Sequence, residues 1–268
     1  MTKKKFSILL PTLGTRIPEL ERLFDSLTKQ TYTNFEVIIV SQGNHEVISQ
    51  TLKKYSFDYQ QIPIDIRGLS NARNVGMKHI SGDYVTFSDD DCWYVKDALT
   101  YIAEQFENRK ASILSFQFYD PFRNEYPKNY VQNEIHSVQW RDLFSKSSIE
   151  IFVDVHSVGK ENIEFDTRFG LGAQYPSGEE NIFLMDQLNR GHVISYIPRI
   201  IAYHEVRDGL PQLSYNMFIS KGPLFKRMFN TPKGLLLFLA LYAKKFTKIK
   251  DRDKILLDGL KNTITFKK

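Results

Sequence analysis

A chain of 268 residues is long enough for one large domain or two fused lobes with a substantial core. Its single cysteine, Cys92, excludes an intramolecular disulfide, and its longest apolar run, Leu235–Ala243, falls far short of the roughly 20 residues of a membrane-spanning helix. Charge separates along the chain: residues 221–268 carry 13 Lys/Arg against 3 Asp/Glu, whereas residues 1–220 carry 23 against 28.

The N-terminus, MTKKKFSILLP, has a basic start, but its apolar run stops at Pro11, too soon for a signal peptide, and a cytoplasmic setting is expected. Phe6–Leu10 reads as a fully buried strand, and Thr12, Leu13 and Gly14 as the loop after it. A helix follows from Pro18 at its first turn, with Leu20, Leu23, Phe24 and Leu27 at helical spacing. Phe35–Val40 is a second buried strand ending in the turn Ser41-Gln42-Gly43-Asn44. A helix over Glu46–Tyr55 and a short strand over Tyr59–Ile66 come next. This βαβ alternation predicts a doubly wound, mostly parallel sheet with right-handed crossovers.

The segment from Gly68 to Asp91, GLSNARNVGMKHISGDYVTFSDDD, carries the most chemistry. Asn71–Ile80 reads as a helix, and Tyr84–Phe87 as a buried strand that breaks off into Ser88, Asp89, Asp90 and Asp91. Three adjacent carboxylates repel one another, so a folded site must give them cations or open water. On an extended backbone Asp89 and Asp91 point to one side and Asp90 to the other. Such a strand end suits Mg²⁺ or Mn²⁺, which take oxygen ligands and leave room for phosphate oxygens. Arg73 and Asn74, just upstream, are donors toward a nucleotide. On these residues alone a solvated turn that charges the next helix start is an equal alternative. Neither a G-x-G-x-x-G after a strand nor a G-x-x-x-x-G-K-[ST] occurs, so nucleotide recognition has to use strand-end loops.

This segment resembles glycosyltransferase family 2, which reads roughly G-x-x-x-A-R-N-x-G, then G-D-Y, an apolar strand and D-x-D. The resemblance spans about residues 6–204 and implies a GT-A fold: a Rossmann-like, mostly parallel sheet flanked by helices. It implies inverting transfer of a sugar from a nucleotide-diphosphate-sugar, expected to be a UDP-sugar, to a hydroxyl of a glycan or lipid-linked sugar acceptor. The family's nucleoside contacts carry over to Pro11, Thr12 and Gly14 and to Ser41 and Gln42. Ser41 stands where the family commonly has an aspartate, and its hydroxyl accepts a hydrogen bond without charge. Asp89 or Asp90 is expected to meet the ribose, Arg73 the base or phosphate, and Asp91 with Asp89 the metal.

Beyond the triplet, Val95–Phe106 is expected as a helix and Ala111–Tyr119 as a strand. Residues 120–150 lack periodicity and read as loops, with Tyr126, Tyr130 and Trp140 as satellite core rather than a sugar platform. After a strand at Ile151–Val155, a Gly-rich loop leads to Pro176-Ser177-Gly178-Glu179-Glu180. The resembled family has an acidic pair at the start of a helix there, its second acid commonly the base. That maps the base onto Glu180, with Glu179 beside it. Ser177-Gly178-Glu179-Glu180 also fits the capping box S-x-x-E, in which Glu180 only bonds back to the cap. Val193–Ile197 and Ile200–Tyr203 are apolar runs split by Pro198 and followed by His204, which the resemblance makes a third metal ligand.

The expected division is a nucleotide-sugar-binding half over 1–91, an acceptor half over 92–205 and a basic helical extension over 206–268. Leu235–Leu239 followed by Lys244, Lys245, Lys248 and Lys250 suits either an anionic membrane surface, which would make the protein peripheral on the inner face, or a helix packed on the domain. Nucleic acid is not expected as a partner, since the tail has no recognised motif. Two rival functions stand beside sugar transfer. One is a sugar-nucleotide pyrophosphorylase, whose Gly-rich basic loop is not evident in residues 11–16; the other is a non-catalytic nucleotide-sugar binder, against which the Asp triplet and Glu pair argue.

Overall fold

The computed structural model describes residues 3–206 and 214–268. These form two compact units. The first comprises the described residues up to Arg67, Asn71–Glu164 and Gln187–Val206; the second comprises Gly68–Ser70, Phe165–Asp186 and the described residues of 207–268.

The first unit holds an eight-stranded sheet. Its strands are β1 (Phe6–Thr12), β2 (Phe35–Ser41), β3 (Asp58–Pro63), β4 (Tyr84–Phe87), β5 (Cys92–Tyr94), β6 (Ile113–Tyr119), β7 (Ile151–Asp154) and β8 (Ile194–His204). They lie in the order β3-β2-β1-β4-β7-β6-β8-β5. The pairs β1–β2, β1–β4, β2–β3 and β6–β8 are parallel, and β4–β7, β6–β7 and β5–β8 antiparallel. β1 and β2 are buried along their whole length, as expected of strands covered on both faces. The polar β3 forms one edge.

Helices α1 (Ile17–Thr28), α2 (His45–Leu52) and α4 (Ala98–Asn108) share one core with Phe6, Ile8, Leu10, Val37 and Ile39. The opposite side chains of β1 and β2, Leu9 and Val40, meet α3 (Leu69–Met77) at Gly76. A Cβ on Gly76 would sit 2.9 Å from Val40 and 3.0 Å from Leu9. The helix that carries Arg73 therefore packs at Gly76 directly onto the Leu9 and Val40 side chains of the sheet.

Two strands differ from expectation. The apolar runs on either side of Pro198 form the single strand β8, whose pairing with β6 shifts register between Tyr196 and Ile200. Proline has no N–H to give a ladder, and the irregularity absorbs that loss. β5, directly after the Asp triplet, is too short to announce itself by pattern. It matters because Cys92 stands opposite His204.

The second unit contains the first turns of α6 (Glu179–Asn189) and the helices α7 (Tyr215–Ile219), α8 (Lys221–Met228), α9 (Thr231–Lys245) and α10 (Arg252–Thr265). The expected extension from 206 is thus helical from 215 on; 207–213 lie outside the described residues. Glycines set its close packing. A Cβ on Gly222 would overlap Thr263, one on Gly259 the Phe238 ring, and one on Gly234 the backbone of Lys226. At the chain end Phe266 packs edge-on against Phe169 and Tyr175, 5.6 Å from each ring.

Candidate active site

In the first unit the carboxyl ends of β2, β1 and β4 lie side by side and deliver Ser41, Thr12 and Ser88–Asp91 to one edge, where an α/β sheet places its ligand. The triplet does not continue the strand. The Cys92 N–H turns back to the Asp89 carbonyl at 3.3 Å, so the two-sided alternation expected of an extended chain gives way to a turn. Asp90 and Asp91 accordingly both reach Arg16, whose guanidinium donates to each. Asp90 also accepts from Thr12 Oγ1 at 2.6 Å, and Thr12 Oγ1 in turn accepts the Gly14 N–H at 3.0 Å. Asp91 Oδ1 lies 3.2 Å from His204 Nε2. Asp89 lies 3.3 Å from Arg73 Nη2, and Arg73 also donates to Ser148 Oγ at 2.8 Å.

Exposure assigns these carboxylates different tasks. Asp89 keeps 35% of its side chain open, Asp91 14% and Asp90 6%, so Asp89 can meet a ligand while Asp90 is committed to the loop after β1. Burial pushes the carboxyl of Asp90 up, against the opposing pull of Thr12 and Arg16. Burial also pushes Asp89 up, with Arg73 opposing and the neighbouring Asp91 adding to the rise. Arg73 is fully buried, between Asp89 and Ser148. Asn74 is half-buried one residue further along α3.

Among the described residues no three His, Cys, Asp or Glu side chains converge as a ligand set. Asp91 and His204 are close enough to share one ion; the carboxylate suits Mn²⁺ or Mg²⁺, and the imidazole favours Mn²⁺ of the two. Asp89 is directed at Arg73 instead, and Arg16 supplies positive charge between Asp90 and Asp91. Cys92 takes no part: burial pushes its thiol up to about 12, far from a thiolate at neutral pH.

At the strand ends expected to meet the nucleoside, Pro11 and Thr12 pair with Val40 and Ser41, and the Gln42 N–H donates to the Thr12 carbonyl at 2.8 Å. Gly14 adopts φ +64°, and a Cβ there would stand 2.7 Å from Ile48, so the loop closes onto α2 only with glycine. Ser41 is fully buried, its hydroxyl 2.7 Å from His45 Nδ1 and 3.2 Å from Gln61 Nε2. Gln42 is also largely buried. Arg16, His45, Gln61 and Ser148 are the residues here that the sequence reading did not single out.

The second unit carries the glutamates. Both lie in the first turn of α6; Glu179 is buried and Glu180 half-buried. Gly170, at φ +106°, lets the preceding loop approach: a Cβ there would meet Ser70 Oγ at 2.9 Å and Glu179 Cδ at 3.3 Å. Ser70 Oγ donates to the Phe169 carbonyl at 2.6 Å, and Lys221 Nζ donates to Ser177 Oγ at 3.0 Å. In the first unit, Tyr126 packs on Tyr119 and Tyr130, with ring centres 5.0 and 5.6 Å apart, yet stays exposed.

A sheet with acidic residues at a parallel strand end and a separate helix start bearing glutamates is the layout of a GT-A protein. Solved structures agree on the fold. Staphylococcus aureus TarS (residues 1–349) in complex with UDP-GlcNAc aligns with TM-score 0.75 at 19% identity, over 97% of this chain and 80% of that one. The mannosyltransferase PcManGT from Pyrobaculum calidifontis, in complex with GDP-Man and Mn²⁺, aligns with TM-score 0.61 at 11% identity, over 100% of this chain and 89% of that one. The glycosyl transferase family 2 profile matches residues 7–159, more than half of the chain, and the chain belongs to that family. Among curated relatives, glycosyltransferase GlyA of Streptococcus pneumoniae is 30% identical over 118 residues, which are 43% of this chain and 17% of GlyA. The match thus spans only a small part of that relative.

Proposed function

We propose that the chain transfers a sugar from a UDP-sugar to a hydroxyl of a glycan or lipid-linked sugar, with inversion at the anomeric carbon. The acceptor oxygen attacks that carbon in line, the bond to the diphosphate breaks, and UDP departs with the bonding electrons. Glu180 takes the acceptor proton; it is the more open of the two acids, and the helix start that carries it favours an ionised carboxylate. Asp91 and His204 would hold Mg²⁺ or Mn²⁺, which would supply positive charge to the leaving diphosphate, while Asp89 stays with Arg73. Arg73 fixes the orientation of Asp89 toward the ribose, and Asp90 holds the loop of Thr12 and Gly14 around the nucleoside.

The observation that carries this reading is the cluster of three carboxylates at the end of β4, each held by cationic or hydroxyl partners, with Arg16 shared between Asp90 and Asp91. Support for UDP comes from the TarS complex, and for a divalent ion from the PcManGT complex. Calorimetry of the protein with UDP, GDP and ADP, with and without Mn²⁺, tests it. Metal-dependent binding of UDP is expected; no binding of any of the three removes the reading.

The tail is proposed to rest on an anionic membrane surface, as a peripheral contact at the inner face. No helix among the described residues is long and apolar enough to cross a membrane. Leu236, Leu239 and Phe246 are exposed on one face of α9 and its cap, next to Lys244, Lys245, Lys248 and Lys250. Flotation with anionic vesicles tests this contact. Loss of binding is expected when Leu236, Leu239 and Phe246 are all replaced by Glu, and equal binding of this variant and the parent contradicts it.

A further inference from the structure

A cation beside a helix N-terminus works against the helix dipole, which favours negative charge there. Lys221, the first residue of α8, nonetheless donates to Ser177 Oγ at 3.0 Å, two residues before α6 begins, and feels the charges of Glu180 and Glu179. Burial pulls its ammonium down and those two acids push it back up. One turn along α8, Leu224 lies against Gly178, where an added Cβ would meet it at 2.7 Å. A further turn on, Arg227 Nη1 and Nη2 grip Asp186 of α6 at 3.0 and 2.8 Å, and its Nε reaches Asp166 at 2.9 Å. Lys221, Leu224 and Arg227 recur every three residues and so share one helix face. That face runs along α6 from the turn before it to its eighth residue.

We infer that α8 is a clamp built to set the acid-bearing turn of α6, and that Lys221 is a positioning residue for the glutamate that serves as base. The inference rests on the proposed role of that glutamate. The profile of the family ends at residue 159, so this contact belongs to the part of the chain beyond it. The C-terminal segment is then a part of the catalytic unit rather than only a membrane tail. Glycine contacts back the clamp from behind: Gly222 of α8 lies against Gly259 and Thr263 of α10, where a side chain would overlap. The cation is suited to a task that an apolar residue at 221 could not perform, because it faces both acids and a hydroxyl at once.

The test uses the full chain and compares Lys221→Met, Lys221→Arg and Arg227→Met. Hydrogen exchange of the α6 amides from Asn181 to Met185 is read against that of β1. Lys221→Met is expected to speed exchange in α6 at least tenfold and leave β1 unchanged, and Lys221→Arg to restore most of the protection. Unchanged exchange in α6 overturns the clamp. If Lys221→Met does not accumulate, Arg227→Met cuts the same contact from its other end and reads the same amides. The positioning role is read from kinetics with UDP-GlcNAc and water as acceptor. The expected loss for Lys221→Met is about tenfold in kcat with donor KM within twofold, rescued by Arg; a loss carried by KM, or no loss in a variant whose α6 exchange has risen, overturns it. Should the parent not cleave UDP-GlcNAc, the positioning role of Lys221 falls and the exchange result decides the clamp alone. Glu179→Gln and Glu180→Gln, run alongside, separate the outcomes: if both keep the parent rate, the base assignment fails while the exchange result still stands or falls by itself.

Discussion

The two acidic regions of this chain are held in opposite ways. At the end of β4, three carboxylates crowd into one turn, and cations and a hydroxyl offset their charge: Thr12 and Arg16 for Asp90, the same Arg16 and His204 for Asp91, Arg73 for Asp89. At the start of α6, two carboxylates sit where a helix already welcomes them, and what needs explaining is the lysine brought in beside them. The first region is a charge problem solved inside the sheet unit. The second is a positional problem solved by helices from the far end of the sequence. A site of the first kind should fail by losing charge balance, and one of the second kind by losing order.

The sharpest division comes from isosteric amides. Glu180→Gln is expected to lower turnover about a thousandfold, the scale of a lost general base, with UDP binding kept. Glu179→Gln should cost less, since that acid is buried. Equal losses in the two would mean the helix start acts as a pair rather than through one base. Asp91→Asn is expected to lower metal-dependent turnover about a hundredfold and to weaken Mn²⁺ binding, read by calorimetry. A variant that keeps both would break the contrast, because the strand-end cluster would then be only a structural ion network.

Arg73→Met probes the first region for stability rather than rate. Arg73 is fully buried and bonds both Asp89 and Ser148. Removing one partner of a buried pair costs about 3 kcal/mol, here at the low end because Asp89 can still reach water. Urea denaturation followed by tyrosine and tryptophan fluorescence reads the change. A loss well under 1 kcal/mol would show that Ser148 and Asp89 do not depend on the guanidinium.

Much of the sheet unit was legible in the residues themselves. Buried strands such as Phe35–Val40 announce themselves by apolar runs, and an Asp triplet after a strand is a local signal. Long-range pairings were not legible. Arg16 stands just before a helix, and nothing near it in sequence says that Asp90 and Asp91 stand 74 and 75 residues away as its partners. Ser41 is expected to accept a hydrogen bond at the strand end, but nothing local says that its hydroxyl also meets His45, four residues on, and Gln61 from the neighbouring strand. The tail hid its role for a related reason. Gly222, Gly234 and Gly259 weaken a helix by propensity, and only the packing of α8, α9 and α10 turns them into contact points.

Acid offers the gentlest comparison, because each unit has a well-bonded carboxylate away from the proposed chemistry; in the sheet unit Asp83 and Asp120, like Glu36, are held below their ordinary range. In the sheet unit, burial pushes Glu36 up, but hydrogen bonds from Lys5, Ser7 and Ser81 outweigh it and hold the carboxyl below its ordinary range. In the second unit, burial likewise pushes Asp166 up, and Arg168 and Arg227 outweigh it. A carboxyl that is lower in the folded than in the unfolded chain stabilises the fold above its unfolded value, near about pH 4. That contribution fades as pH falls through the folded value, so both units should weaken only below about pH 4. The substitutions should separate them. Asp166→Asn is expected to flatten the acid dependence of hydrogen exchange in α8 and α6 while β1 and β2 keep theirs, and Glu36→Gln to do the reverse. If either change flattens both, the two regions unfold in acid as one cooperative body, and the contrast between a charge-balanced sheet site and a clamped helix site would hold for function but not for stability.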